Sequence, residues 1–180
     1  MSVLPIRKLG EPVLREPCKD VDHFDNLLHH LFEDMVETMY KAPGVGLAAP
    51  QVGISLRLFV FDANDGGGPK AVANPVLSAF EGEQVEDEGC LSIPNLWYET
   101  ARAMKVRLDG QDLKGKPISY EGEELRARIF QHETDHLNGM LFIDRLSEED
   151  RRQAMAAMLE RDLGGDDDGP QGRFRRGRPR

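Results

Sequence analysis

Cysteine is scarce in this 180-residue chain: Cys18 and Cys90 are the only two. Two thiols do not make a disulfide framework, so the fold has to rest on its core. Each cysteine then needs its own account as packing, reactive group or metal ligand. Cys18, between Pro17 and Lys19, reads as a small buried hydrophobe. Also missing is any apolar run near the roughly 20 residues that a membrane span needs. Residues 1–8 lack a long apolar stretch ending in a small-residue cleavage site, so no secretory signal is expected. An excess of basic residues is absent too. Lys and Arg number 23 against 32 Asp and Glu, a formal net charge of −9, which argues against a bulk electrostatic binder of nucleic acid. These absences point to a cytoplasmic protein, and the length fits one domain with a sizeable core.

The charge is unevenly spread. Residues 164–180 hold three Asp and five Arg, a net of +2, which leaves −11 on the preceding 163 residues. The expected organisation is a folded domain over residues 1–163 and a disordered charged tail over 164–180, because the tail has almost no apolar residues to offset ordering entropy. Arg173, Arg175, Arg176, Arg178 and Arg180 surround Phe174 in that tail, a short basic arm of the kind that contacts RNA electrostatically.

Within the body, Asp22 is the expected N-cap of an amphipathic helix running to about Lys41, since Phe24, Leu27, Leu28, Leu31, Met35, Val36 and Met39 recur at helical spacing. Residues 42–53 hold too much Gly and Pro for a regular element, yet are nearly all apolar. Residues 56–62 and 71–80 read as extended, separated by the Gly66-Gly67-Gly68 turn. Glu81, Glu83, Glu86, Asp87 and Glu88 then place five carboxylates in eight residues. Met104, Val106 and Leu108 alternate with charged residues as a half-buried strand, and residues 117–120 pair back on it. Helical spacing returns over 123–137, and Ser147 opens a third helix with an acidic first turn.

The sharpest chemical signal is His132-Glu133-Thr134-Asp135-His136. Histidines at i and i+4 lie on one helix face, where their imidazoles can share one metal ion. Glu133 beside the first ligand can hydrogen-bond a water on that metal without binding it. Leu125, Ile129, His132 and His136 share a stripe, which turns the ligands toward the core. Asp135 points about 100° away from its neighbours and reads as a supporting or surface residue and not as a ligand. Such a site needs a third protein ligand and an open position. A metzincin would carry a third His where this chain has Phe142. A downstream Glu (Glu148, Glu149 or Glu160) would make a zincin-like endopeptidase. Upstream, Cys90 is the alternative, beside Gly89, which lets backbone approach closely. A catalytically silent metal-binding module is a third reading.

Three segments together resemble peptide deformylase: Gly44-Val45-Gly46-Leu47-Ala48-Ala49-Pro50-Gln51, Glu88-Gly89-Cys90-Leu91-Ser92, and Gln131-His132-Glu133-Thr134-Asp135-His136-Leu137. Their order and spacing carry the resemblance over about residues 3–160. It implies an α+β fold: mostly antiparallel strands wrapped around a central helix that carries the H-E-x-x-H motif, with a C-terminal helix. It implies metal ligation by Cys90, His132 and His136, with Glu133 as general base and then proton donor. Gln51 and the backbone N–H of Leu91 would flank the oxyanion. The reaction implied is removal of the formyl group from N-formylmethionine at the start of nascent polypeptides, releasing formate. Gly44, Gly46 and Gly89 would admit the extended peptide, and Val45, Leu125 and Ile129 would line the methionine pocket. Fe²⁺ is the implied working metal, and a Cys/His/His set also accepts Zn²⁺, Ni²⁺ or Co²⁺. The chain is expected to act as a monomer, with the basic tail a candidate contact to the ribosome. Two positions depart from common family patterns: Trp97 and Tyr98 fill a stretch that often holds an Arg, and Arg128 stands where an aliphatic is frequent.

Overall fold

The computed structural model describes residues 2–164, with side chains to residue 160. Apart from Gly164, the last residue of α3, the expected tail lies outside the described residues. Three α-helices and seven strands follow the order α1 (Asn26–Lys41), β1 (Gly46–Ala48), β2 (Leu58–Phe61), β3 (Lys70–Glu81), β4 (Gln84–Cys90), β5 (Ile93–Arg102), β6 (Lys105–Gln111), β7 (Pro117–Glu123), α2 (Leu125–Leu137) and α3 (Glu148–Gly164). The strands form a five-stranded sheet, β1-β2-β3-β6-β7, and a separate β4–β5 hairpin. All named pairs are antiparallel. The fold is therefore the α+β arrangement expected, with α2 packed between the sheet and the hairpin. No helix among the described residues is long and apolar enough to cross a membrane.

Local chemistry explains where the elements begin. The cap of α1 is Asp25, not Asp22: its Oδ1 accepts the Leu27 and Leu28 N–H groups at 2.9 and 3.1 Å. Phe24 accordingly precedes the helix and packs on the core from outside it. Gly and Pro made residues 42–53 look irregular, but Gly46–Ala48 is a short edge strand, followed by a 3-10 turn over Ala49–Val52. The acidic run belongs to β4, and residues 93–102 form β5, neither of which periodicity revealed. On β4 the side chains of Gln84, Glu88 and Cys90 turn inward while Val85 and Asp87 stay exposed.

Against the five-stranded sheet, α2 buries an aromatic cluster. Phe130 is fully buried, its ring edge-on to Phe61 at 5.1 Å between centroids and tilted against Tyr120 at 6.3 Å. A Cβ at Gly122 would come within 2.9 Å of that ring, so the bare β7 backbone is what seats it. The stripe reaching the core begins at Ile129, which is buried with Phe130 and Ala127. Leu125, expected on that stripe, is 49% exposed, because it is the first residue of α2 and lies beyond the sheet's cover. Truncating Phe130 to Ala should cost about 3–5 kcal/mol of unfolding free energy by denaturant titration, the range for a buried aromatic that leaves a cavity. A loss below about 1 kcal/mol would contradict this packing.

Candidate metal centre

Two elements bring the candidate ligands together. Cys90 ends β4, and His132 and His136 lie one turn apart on α2. Their ligand atoms all fall within 4.8 Å of one another, and this is the one such group that emerges among the described residues. The Cys90 Sγ is 3.2 Å from His136 Nε2, and the two imidazole centroids are 4.9 Å apart. Glu148, Glu149 and Glu160 sit on α3 and take no part in the group, which removes the downstream-Glu arrangement. Cys18 is buried elsewhere, its N–H donating to the Leu137 carbonyl.

A break in the β4–β5 register places Cys90. Gly89 pairs with Trp97, but Cys90 pairs with Ile93, so three extra residues of β5 bulge out between them. Asn95 in that bulge takes a positive φ of 61°, which asparagine tolerates better than most residues. Bulges of this kind re-aim a side chain at the end of a ladder. Here the thiol turns in toward α2.

Behind the ligands lies a buried ion network. His132 Nδ1 is 2.6 Å from Glu88 Oε1, which leaves Nε2 of the ring on the Cys90 side. Arg102 grips Glu88 through Nε and Nη2, at 3.1 and 2.6 Å, and Asp135 through Nη1, at 2.6 Å. Arg128 adds a third cationic contact to Glu88, at 2.6 Å. Arg145 closes the chain from the far side by bonding both oxygens of Asp135. The side chains of Arg102 and Glu88 are 2% and 4% exposed, so these charges act in a dry environment. Burial disfavours a charged Glu88, but hydrogen bonds from His132 and Arg102 outweigh it and hold this carboxyl well below the usual range. Sequence reasoning left Asp135 as a supporting or surface residue and gave no role to Glu88 or Arg102. The signal was present in part, as Glu88 in the motif beside Cys90, but its cationic partners are distant in sequence.

The catalytic candidates lie on segments that adjoin this group. Glu133 is 4% exposed, and burial raises its carboxyl to about 7, against the opposing pull of His132. Its Oε2 is buried with no hydrogen-bond partner, as is Nδ1 of His136. An orphaned carboxyl oxygen on the residue next to His132 fits a water held on a divalent metal, and the donor set of one sulfur and two imidazoles fits that metal. Gln51 is buried as well. Its Oε1 accepts the Ala48 N–H at 2.8 Å, which orients Nε2 toward Cys90 Sγ at 3.6 Å and Ser92 Oγ at 3.3 Å. Leu91 follows Cys90 in the hairpin turn, against Gly44: a Cβ there would lie 2.9 Å from the Leu91 side chain. A Cβ at Gly46 would overlap Glu133 Oε1 at 2.3 Å. Both glycines are points of close approach, the tighter at Gly46, where three atoms of the buried Glu133 side chain stand in the way. Val45 packs on the core cluster that contains Ile129, whereas Leu125 stands apart at the exposed start of α2.

Residues 3–152 match the family model for polypeptide deformylase. A peptide deformylase of Acidothermus cellulolyticus is 50% identical over 165 residues, 92% of this chain and 91% of that one. The crystal structure of the Thermus thermophilus peptide deformylase superposes with a TM-score of 0.85 at 44% identity, over 90% of this chain and 96% of its own. That of Legionella pneumophila gives a TM-score of 0.84 at 41% identity, over 92% and 99%. With fold, ligand set and motif order in agreement, the chain belongs to the peptide deformylase family.

Proposed function

We propose that Cys90, His132 and His136 hold the metal of a hydrolase that removes the N-formyl group from the formylmethionine of new polypeptides and releases formate. The single observation that carries the ligand assignment is the convergence of one thiol and two imidazoles within 4.8 Å beside an unpartnered Glu133 oxygen. When bound, a divalent metal lowers the pKa of a coordinated water and polarises the formyl carbonyl.

The residues of this chain do the rest. Glu133 takes a proton from the attacking water, and burial supports this by raising the basicity of its carboxylate. As charge builds on the carbonyl oxygen, the Gln51 side-chain N–H and the Leu91 backbone N–H donate to it. Losing one such donor typically costs about 10²–10³-fold in rate. Glu133 then delivers the proton to the amine nitrogen, the C–N bond breaks, and formate leaves. Val45 and Ile129 are assigned to the methionine pocket, with Leu125 at its outer rim.

Where the peptide lies follows from the two sheets. β1 is an edge of the larger sheet, and β4 pairs only with β5. Gly44 and Gly46 bring the first edge up to Leu91 and Glu133. An extended peptide entering between these edges would find backbone partners without side-chain demands, by strand addition. Gly89 keeps the β4 side of that path open. Such recognition suits a substrate class defined by its first residue.

The soft thiolate with two imidazoles supports Fe²⁺ as the working metal, with Zn²⁺, Ni²⁺ or Co²⁺ as alternatives. We further assign the chain to the cytoplasm as a monomer. The basic residues of 164–180 are assigned a contact to ribosomal RNA, which the charge split of the sequence supports.

Several measurements test this reading. Metal-loaded protein should release formate from formyl-Met-Ala-Ser. Cys90→Ser should lose most bound metal, and Glu133→Gln should keep metal yet lose at least about 10²-fold in kcat. Metal retained by Cys90→Ser would overturn the ligand set. Glu88→Gln should weaken metal binding roughly 10–100-fold in chelator competition, since it removes the carboxylate that orients His132. Unchanged affinity would show that the carboxylate has no such role. Deleting residues 164–180 should reduce co-sedimentation with ribosomes at low salt, and unchanged co-sedimentation would rule out the tail contact.

A further inference from the structure

Behind α2 lies a cavity of about 650 Å³ that the reaction leaves unused. At about 100° per residue, Gln131, Thr134 and Asn138 share the helix face opposite that of His132 and His136. That face forms one side of the cavity, and β3 and residues 101–103 of β5 form two others. Its volume is of the size that holds a small molecule. Gln131 is fully committed, since its amide bonds the Ala103 N–H, the Ala103 carbonyl and the Ala127 carbonyl. Thr134 is not. It is 8% exposed, and its hydroxyl is buried with no hydrogen-bond partner. An unsatisfied buried hydroxyl costs free energy, which a ligand in the cavity would recover.

The polar groups of the lining decide the sign of that ligand. Arg145 spends Nε and Nη2 on Asp135, which leaves Nη1 as a donor. Arg57 Nη1 donates to Asn138 Oδ1, so the Asn138 amide offers its N–H groups. The Asp135 oxygens are taken by Arg102 and Arg145. Three guanidiniums (Arg57, Arg102 and Arg145) and two carboxylates (Asp135 and Glu83) line the cavity, an excess of one positive charge. The β3 wall is apolar. That strand breaks register with β6 twice, between Ala73 and Val76 and between Ser78 and Glu81. At the second break Ala79 takes a φ of 49°, a strained conformation for alanine. Val76 and Phe80 line the cavity from these broken stretches, and both are largely exposed.

We propose that this cavity is a second ligand site, which binds a small carboxylate carrying an apolar chain or ring. Thr134, Asn138 and Arg145 donate to the carboxylate, the last as a charge-assisted bond. The apolar part lies on Val76 and Phe80 and removes them from water. One negative charge matches the excess positive charge of the lining, whereas a cation would meet three guanidiniums. The site is separate from the peptide path, because it opens on the far side of α2.

The test is calorimetric titration of the metal-loaded full chain with octanoate, acetate and octan-1-ol, repeated with saturating Met-Ala-Ser in the peptide path. Octanoate should bind with a Kd of roughly 1 mM, at least about 10-fold tighter than acetate or octan-1-ol, and Met-Ala-Ser should not displace it. Thr134→Val removes the hydroxyl and keeps the side-chain shape. It should weaken octanoate at least about 3-fold, the effect of one hydrogen bond, with no loss of thermal stability, since that hydroxyl has no partner to lose. Phe80→Asp puts a negative charge on the exposed wall and should weaken octanoate at least about 5-fold. Wild-type affinity in either variant would overturn the proposal. So would octanoate binding no tighter than that of acetate or octan-1-ol. Displacement by Met-Ala-Ser would overturn it as well, by placing the octanoate in the peptide path.

Discussion

One buried carboxylate ties the molecule together. Glu88 accepts from His132 on α2, from Arg102 on β5 and from Arg128 one turn below His132. β4 and β5 pair only with each other, so the hairpin is held to the rest of the molecule by side chains: this network, and the packing of Cys90, Ile93 and Leu96 in a cluster with Leu141, Phe142 and Ile143. Removing any partner would leave uncompensated charge in a dry site, which typically costs about 3–5 kcal/mol. The network thus does two jobs with the same atoms. It docks the hairpin that carries Cys90, and it turns the His132 ring so that Nε2 faces the thiol. Asp135 and Arg145 extend the same chain of charges toward the surface.

Close approach is the complementary constraint. Opposite the hairpin, β1 must come near enough to Glu133 that a single methyl group at Gly46 would collide with it. Gln51, held by its bond to the Ala48 N–H, arrives from the same segment. The candidate site is therefore assembled from two sheet edges and one helix, each fixed by a different force: ion pairs for the hairpin, aromatic packing of Phe130 for α2, and glycine backbone for β1. Such an arrangement presents donors and a base without a loop having to fold over them, which favours preorganised electrostatic stabilisation.

Much of this was legible in the sequence, for identifiable reasons. The helix of His132 and His136 could be read because a 3.6-residue period dictates which side chains share a face. Residues 104–109 could be read as a strand from their alternation. The hairpin could not. Five carboxylates within residues 81–88 look like a solvated stretch, and only tertiary contacts reveal that Glu88 alone turns inward to meet Arg102 and Arg128. Gly46–Ala48 was hidden because glycine is a poor strand former, although here its lack of a side chain is what lets the strand approach Glu133. Asp25 and Asp22 are equivalent caps by composition, and the difference lies in Phe24 turning into the core. Leu125 fits the helical stripe by spacing, but spacing cannot say where the sheet's cover ends. For Cys90, residue chemistry left a downstream Glu as an open alternative. Resemblance pointed to the thiol, and geometry now brings it to the imidazoles.

The central claim is that the ion-paired hairpin delivers a thiolate to the histidine pair. X-ray absorption at the edge of the bound metal tests it most directly. With Zn²⁺ loaded, the account predicts one sulfur near about 2.3 Å and two nitrogens near about 2.0–2.1 Å, with a light atom completing the shell. A first shell of nitrogen and oxygen alone, without sulfur, would contradict it.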